Sequence, residues 1–161
     1  MNTDRAIALE ELERLSEFDQ EPVLDSATVG KILDKHQTAV LWAPATVYKF
    51  GHVVVPTETH MNGRKYRCVK AGTSASTEPE WPDANGWRVT DGGTLRWEEY
   101  GPAGNNLWNI DAAASECWQQ KIALVTQDFD FSSGTNASYK RSQVYEHCVD
   151  MANRFNVPEF F

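Results

Sequence analysis

Only a few side chains of this chain are of the types that commonly bind transition metals, namely four histidines and three cysteines. His147 and Cys148 are neighbours in the sequence, and on a helix their side chains point about 100° apart, so they are poorly placed to share one metal ion. No two of the histidines and cysteines have the two intervening residues that are typical of zinc ligands. We therefore expect no metal site and no cofactor.

Acidic pairs are the remaining candidates for catalytic work. Glu10-Glu11 and Glu98-Glu99 could in principle act as general acid and base, but glutamates are mostly solvated surface groups, and we expect that for both pairs. The glycine pair Gly92-Gly93 lacks the lysine and the strand–turn–helix setting of a phosphate-binding loop. The sequence predicts that the chain is not an enzyme.

Tryptophans offer a binding chemistry instead. Trp81, Trp87 and Trp97 lie among glycines and prolines, and flat aromatic side chains on a small β module are a common way to hold sugar rings. Trp81 and Trp87 are therefore candidate glycan contacts. The alternative is that these tryptophans, with Trp42, form the core of a thin domain, in which each aromatic side chain buries roughly 150–250 Å².

The last residues hold a second candidate for binding. Residues 157–161 read Val-Pro-Glu-Phe-Phe, and two phenylalanines are poorly placed in water. Either this segment is disordered or folds back on its own helices, or its phenylalanines anchor in a pocket of a partner, as aromatic residues commonly do at interfaces.

The composition divides the chain into three segments, whose helices and strands must position these residues. Residues 1–41 have a net charge of −5, residues 43–104 hold eight of the ten glycines and five of the seven prolines, and residues 105–161 have a net charge of −3. The sequence predicts an α+β fold. About four helices from residues 1–41 and 105–161 would form a bundle, and residues 42–104 would form a small antiparallel β domain inserted between them.

Apolar spacing and turn residues place the elements within these segments. Thr3 or Asp4 can cap a first helix that should run to about Phe18, and Asp25 and Ser26 offer caps for a second helix. Asn62-Gly63 and Asp91-Gly92-Gly93 predict hairpin turns. Two C-terminal helices carry apolar residues that step by three or four: Ala114, Trp118, Ile122, Val125 and Phe129 in one, and Val144, Cys148, Met151 and Phe155 in the other.

Two stretches resemble proteins of tailed bacteriophages. From Trp42 the chain reads WAPATVYKFGHVVVPTETHMNGRKYRCVKAGTSASTEPEWP, and later VTDGGTLRWEE, which resembles a module of phage and prophage virion proteins that is also similar to small chitin- and cellulose-binding modules. His52 stands where that module usually carries an acidic residue. The C-terminal segment resembles phage head–tail connector proteins, or adaptors, at Ala112–Trp118, Phe129–Ser132 and Ser142–Cys148.

This resemblance implies a structural virion protein, made in the host cytoplasm and located at the head–tail interface or neck. Its subunits would form a homo-oligomeric ring, usually dodecameric, that binds the portal protein and receives a tail or head-completion protein. DNA would pass through the channel without specific binding. In such adaptors the C-terminal segment docks on the portal, which gives that role here to Phe155, Val157, Pro158, Glu159, Phe160 and Phe161.

Charge agrees with this interpretation. The net charge of −8 argues against a protein that grips nucleic acid by neutralising phosphates, and a ring of such subunits would repel the passing duplex. A ring subunit needs two unlike faces that meet head to tail, and we expect Arg141, Gln143 and Glu146 to contact the neighbouring subunit. The alternative function is a carbohydrate-binding virion or neck protein that contacts the host surface through its β domain.

Overall fold

The computed structural model describes residues 1–129 and 135–156, and the side chains of residues 1–127 and 141–156. Four helices and two sheets lie in this part, so the predicted α+β class is confirmed. The chain forms two compact units. We call residues 1–3 and 37–107 the β unit, and residues 4–36 and 108–161 the helical unit. The predicted bounds of 1–41, 42–104 and 105–161, and the insertion of one domain into another, stay predictions.

Capping residues mark the start of the first two helices of the helical unit. Asp4 accepts a hydrogen bond from the backbone N–H of Ala6 at 2.8 Å, and Asp25 accepts one from Thr28 at 2.9 Å. Of the candidate caps, Asp4 and Asp25 are therefore the ones that form. The first helix ends before Phe18, since Glu17 adopts a left-handed conformation with φ 45°. The helices are α1 (Arg5–Ser16), α2 (Ser26–Lys35), α3 (Ile110–Phe129) and α4 (Thr135–Phe155).

The core of the helical unit lies where the apolar spacing predicts. Trp118 of α3 packs with Cys148 and Ala152 of α4 in a buried cluster, and the partly buried residues around it are Ile122, Val144, Met151 and Phe155. Leu12 of α1 is also fully buried. None of the described helices is long and apolar enough to cross a membrane.

The β unit contains one five-stranded and one two-stranded sheet. Strands β1, β3, β4, β7 and β6 lie side by side in that order, while β2 pairs with β5. All pairs are antiparallel except β1 with β3, which run parallel, so the sheet is mixed where we predicted a purely antiparallel one. The strands are β1 (Val40–Leu41), β2 (Val47–Tyr48), β3 (Val53–Val55), β4 (Arg64–Lys70), β5 (Gly72–Thr73), β6 (Arg88–Asp91) and β7 (Leu95–Pro102).

One predicted hairpin turn forms and the other does not. Gly92 and Gly93 have φ of 62° and 91° and connect β6 to β7, as predicted. Asn62-Gly63 instead ends a longer connection between β3 and β4. There the Oδ1 of Asn62 accepts from the N–H of Arg64, and its Nδ2 donates to the hydroxyl of Tyr66.

The inner face of the five-stranded sheet forms the core of the β unit. Trp42 and Trp97 are buried there, whereas Trp81 only packs against the edge of the cluster. Trp87 is 65% exposed, so its predicted place in the core was wrong. The buried cluster consists of Trp42, Tyr48, Val54, Tyr66, Cys68, Leu95 and Trp97.

Candidate functional site

The outer face of the five-stranded sheet concentrates positive charge. Tyr66 and Trp97 point into the core, and since side chains alternate along a strand, their neighbours point outwards. The β unit as a whole has seven basic and seven acidic residues, but two of the acids, Asp91 and Glu99, are buried. We call the outward set the cationic face: Lys65, Arg67, Lys70, Arg88 and Arg96, together with the carboxylate of Glu98 and the ring of Tyr100.

A β-bulge places two positive charges directly opposite each other on this face. The register pairs Cys68 with Trp97 and then Lys70 with Arg96, so β4 has one residue more than β7 between these pairs. The extra residue turns Lys70 outwards, where strict alternation would send it into the core. Lys70 and Arg96 are exposed, and neither pairs with a carboxylate among the described residues. Like charges in this position destabilise a sheet, so an anion bound here would stabilise it.

Arg67 is held in place beside this pair. Its guanidinium carbon lies 4.6 Å from the centre of the Tyr100 ring, and its Nη2 lies 3.6 Å from Glu98, which also accepts from Arg88 at 2.6 Å. The Nε of Arg67 has no acceptor within the part of the chain that the structure describes. An arginine stacked on a ring and positioned by a carboxylate is preorganised to bind a further carboxylate or phosphate.

A polar cleft of about 420 Å³ lies at one end of the same sheet, lined by residues that include Arg64, Asp83 and Asn85. The Arg64 guanidinium donates to Asp83 at 2.7 Å, to Asn85 at 2.8 Å and to Glu99 at 3.0 Å. These bonds use the Nε and Nη1 donors of Arg64 and tie the loop before β6 to β7.

Glu99 is the buried anchor of this network. Burial disfavours its charged form, but backbone N–H groups of Gly86 and Gly101 donate to it at 3.0 and 2.8 Å. Together with Arg64 these donors hold the pKa of Glu99 below its ordinary value. Our expectation that Glu98-Glu99 is a solvated pair is therefore wrong for Glu99, which is a structural group in the core.

The two predicted glycan contacts differ in what they contact. Trp81 stacks at 4.4 Å on Tyr66 and donates its indole N–H to Glu78 at 2.8 Å, so it is part of the packing. Trp87 is exposed, and it lies two residues after Asn85, which lines the polar cleft. Of the pair, Trp87 is the one whose ring is available to a ligand.

Four of the predicted site residues of the helical unit lie on α4 (Thr135–Phe155). Gln143 and Glu146 are exposed and Arg141 is half-buried. Phe155 packs against the cluster of Trp118, Cys148 and Ala152. Val157, Pro158, Glu159, Phe160 and Phe161 lie outside the described residues.

Buried ionisable groups of the helical unit have structural roles. Lys121 is fully buried and donates to the backbone carbonyls of Glu17 and Gln20, and burial lowers its pKa. Burial raises the pKa of the Cys117 thiol to about 12, so it is protonated at neutral pH and is not an activated nucleophile. All three cysteines are free and buried: Cys117 and Cys148 in the helical unit, and Cys68 in the β unit.

No group of three histidine, cysteine, aspartate or glutamate side chains in the described ranges could hold a metal ion. The chain matches no protein-family model, no curated protein and no solved structure.

Proposed function

We propose that this chain is a non-enzymatic structural subunit of a phage head–tail connector that joins the portal to the tail or neck. It assembles as a ring of twelve copies, in the manner of the adaptors that its sequence resembles. The observation that carries this proposal is the distribution of charge. The helical unit has eight basic and sixteen acidic residues and thus the entire net charge of −8, while the β unit is neutral.

An acidic helical unit suits a channel that conducts DNA. Glu10, Glu11 and Glu21 are exposed and have no cation partner among the described residues. About a dozen copies would give the ring on the order of a hundred negative charges, so a passing duplex would be repelled and would not adhere.

The surface of α4 supports contacts with other proteins. One side of α4 is used by the cluster with Trp118, whereas Gln143, Glu146 and the 40% exposed ring of Tyr145 remain at the surface. We assign Arg141, Gln143 and Glu146 to the neighbouring subunit. Phe155 would support the following residues, Val157 to Phe161, as they dock on the portal.

Negative-stain electron microscopy of the chain mixed with purified portal tests the proposal. We expect an additional annulus on one end of the portal ring. Replacing Phe160 and Phe161 together by serine should remove this annulus and leave the circular dichroism spectrum and the melting temperature unchanged. The matched control is Ile7→Ser, which removes a 55% exposed apolar side chain elsewhere and should leave binding intact. Portal rings without added density, or binding that survives the double change, would contradict the assignment.

A second candidate function is carbohydrate binding by the β unit. It is favoured by one observation: Trp87 is 65% exposed beside a polar cleft. In this case a virion or neck protein would contact a host glycan through Trp87.

A further inference from the structure

We propose that the cationic face docks on the acidic α1 region of a second copy of this chain. We define the acidic segment as residues 10–21, whose six acidic residues are opposed only by Arg14. This inference deepens the proposed function, because it names the surfaces that join neighbouring subunits. It rests on that function only for the closure of the ring.

The two surfaces are complementary in charge, and each has charged side chains without an ion-pair partner among the described residues. On the cationic face, Lys70 and Arg96 face each other without a carboxylate among the described residues. On the acidic segment, Glu10 and Glu11 are exposed and also lack a cation partner in the described part. Both surfaces are self-repelling in an isolated chain, and one contact between two copies would relieve both.

The dimensions of the two surfaces also agree. Glu10 lies on α1 and Glu17 is the residue that caps its C-terminus, so their backbones are about 10 Å apart along the helix axis. Arg67 and Arg88 flank Glu98 on neighbouring strands, and two strand spacings amount to about 10 Å. A helix laid across the strands would therefore bring successive carboxylates within reach of the two arginines.

Carboxylates of a protein fit this face better than the phosphates of nucleic acid. Glu98 lies between Arg67 and Arg88 and would repel a continuous line of phosphates. The β unit has no net charge and the chain has a net charge of −8, so a polyanion gains no long-range attraction. Discrete carboxylates, separated by uncharged helix surface, avoid Glu98.

A contact of this type joins unlike surfaces, so it is heterologous and leads to a ring or a filament and not to a closed dimer. Exposed ion pairs are each worth only about 0–1 kcal/mol, and salt screens them beyond about 8 Å at physiological ionic strength. Self-association should therefore be strongest at low salt.

Sedimentation velocity of the full chain without portal tests the contact. We expect association at low salt that decreases as sodium chloride is added. The double change Lys70→Glu with Arg96→Glu should weaken it at least tenfold, while the melting temperature stays the same, since both side chains are exposed. The matched control is Lys31→Glu with Lys49→Glu, which alters net charge equally at exposed positions off the face and should associate like the unaltered chain.

A charge swap separates this contact from general electrostatics. A second variant, Glu10→Lys with Glu11→Lys, should also fail to associate alone. An equimolar mixture of the two variants should regain association, because the unaltered face of one variant fits the unaltered acidic segment of the other and the two inverted surfaces also have opposite charges. A chain that combines all four changes should regain association through the inverted pair of surfaces.

Three results would overturn the proposal. The first is a face variant that sediments like the unaltered chain, and the second is a four-change chain that stays monomeric. The third is a face variant that loses binding to a fluorescent DNA duplex while its self-association is unchanged, which would reassign the face to nucleic acid. These experiments contain no portal, so their failure leaves the connector assignment standing. If the chain self-associates but does not bind the portal, the connector role is contradicted and the proposed contact between copies stands.

Discussion

Trp42 and Asp91 are 49 residues apart in the sequence, and the indole N–H of Trp42 donates to Oδ2 of Asp91 at 2.8 Å. The same oxygen accepts from the indole of Trp97 at 3.0 Å, and Oδ1 accepts from the backbone N–H of Ala75 at 2.7 Å. Asp91 is only 2% exposed. It therefore joins two core tryptophans and the loop after β5 at one buried carboxylate.

Removing this carboxylate should strongly destabilise the β unit. Asp91→Ala leaves two buried indole donors and the part-buried N–H of Ala75 without their acceptor. Each such loss costs about 1–3 kcal/mol, so we expect a loss of at least about 3 kcal/mol in the free energy of unfolding. Urea denaturation followed by tryptophan fluorescence measures it. Asp83→Ala, at a carboxylate whose side chain is 78% exposed, is the control and should cost under about 1 kcal/mol. Equal effects would show that Asp91 is not a central acceptor.

The turn between β6 and β7 provides a matched pair of glycines. A Cβ at Gly92 would lie 2.1 Å from the carbonyl oxygen of Thr73, whereas one at Gly93 would meet no heavy atom within 4 Å. Both positions have positive φ, so either alanine costs about 1–2 kcal/mol of backbone strain. Gly92→Ala should cost at least about 2 kcal/mol more because backbone must move. Differential scanning calorimetry of both variants compares the two, and similar melting temperatures would contradict the close approach to Thr73.

Stability should depend on pH through Glu99. The pKa of this carboxyl is lower in the folded chain than its ordinary value of 4.5, so its contribution to stability is complete above that value and is lost as the pH falls through the folded pKa. Glu99→Gln should cost about 2 kcal/mol at neutral pH, and the difference from the unaltered chain should shrink below about pH 4. Glu80→Gln, at an exposed carboxylate, is the control. A difference that is constant with pH would exclude a charged Glu99 as the cause.

Trp81 and Trp87 should respond differently to replacement by alanine. Trp81 packs on Tyr66 and Trp97, and we expect Trp81→Ala to cost about 3 kcal/mol. Trp87→Ala should change stability by less than about 0.5 kcal/mol. Isothermal titration with chitin oligosaccharides then separates the functions: the connector proposal expects no heat of binding, whereas binding that disappears in Trp87→Ala would favour the carbohydrate-binding role.

Local interactions explain which elements the sequence predicts well. Asp4 and Asp25 cap helices through contacts with residues two or three positions away, and the α4 residues Val144 and Cys148 face their cluster because helical spacing brings them to one side. Such contacts depend on neighbours along the chain and can be inferred from a short window of sequence.

Long-range pairing explains what the sequence did not reveal. Glu99 looks like one half of a solvated pair, and its burial follows from the register of β7 against Tyr66. Lys70 is turned outwards by a β-bulge, and no residue type near it in the sequence predicts that bulge. The cationic face therefore becomes visible only once the strands are aligned, although the alternation of basic residues with Tyr66 and Cys68 in β4 is a signal that could have indicated it.

The ends of the β unit have a consequence for how this chain could be altered. Within the β unit, the N–H of Thr38 donates to the carbonyl of Leu107 at 2.8 Å, and within the helical unit, the N–H of Asn109 donates to the carbonyl of His36 at 2.9 Å. Segments whose ends meet in this way tolerate excision and exchange, since a short turn can replace what was removed. We therefore expect that the stretch from residue 38 to residue 107 can be replaced by another small module with neighbouring termini. The four helices would keep their connections in such a chain.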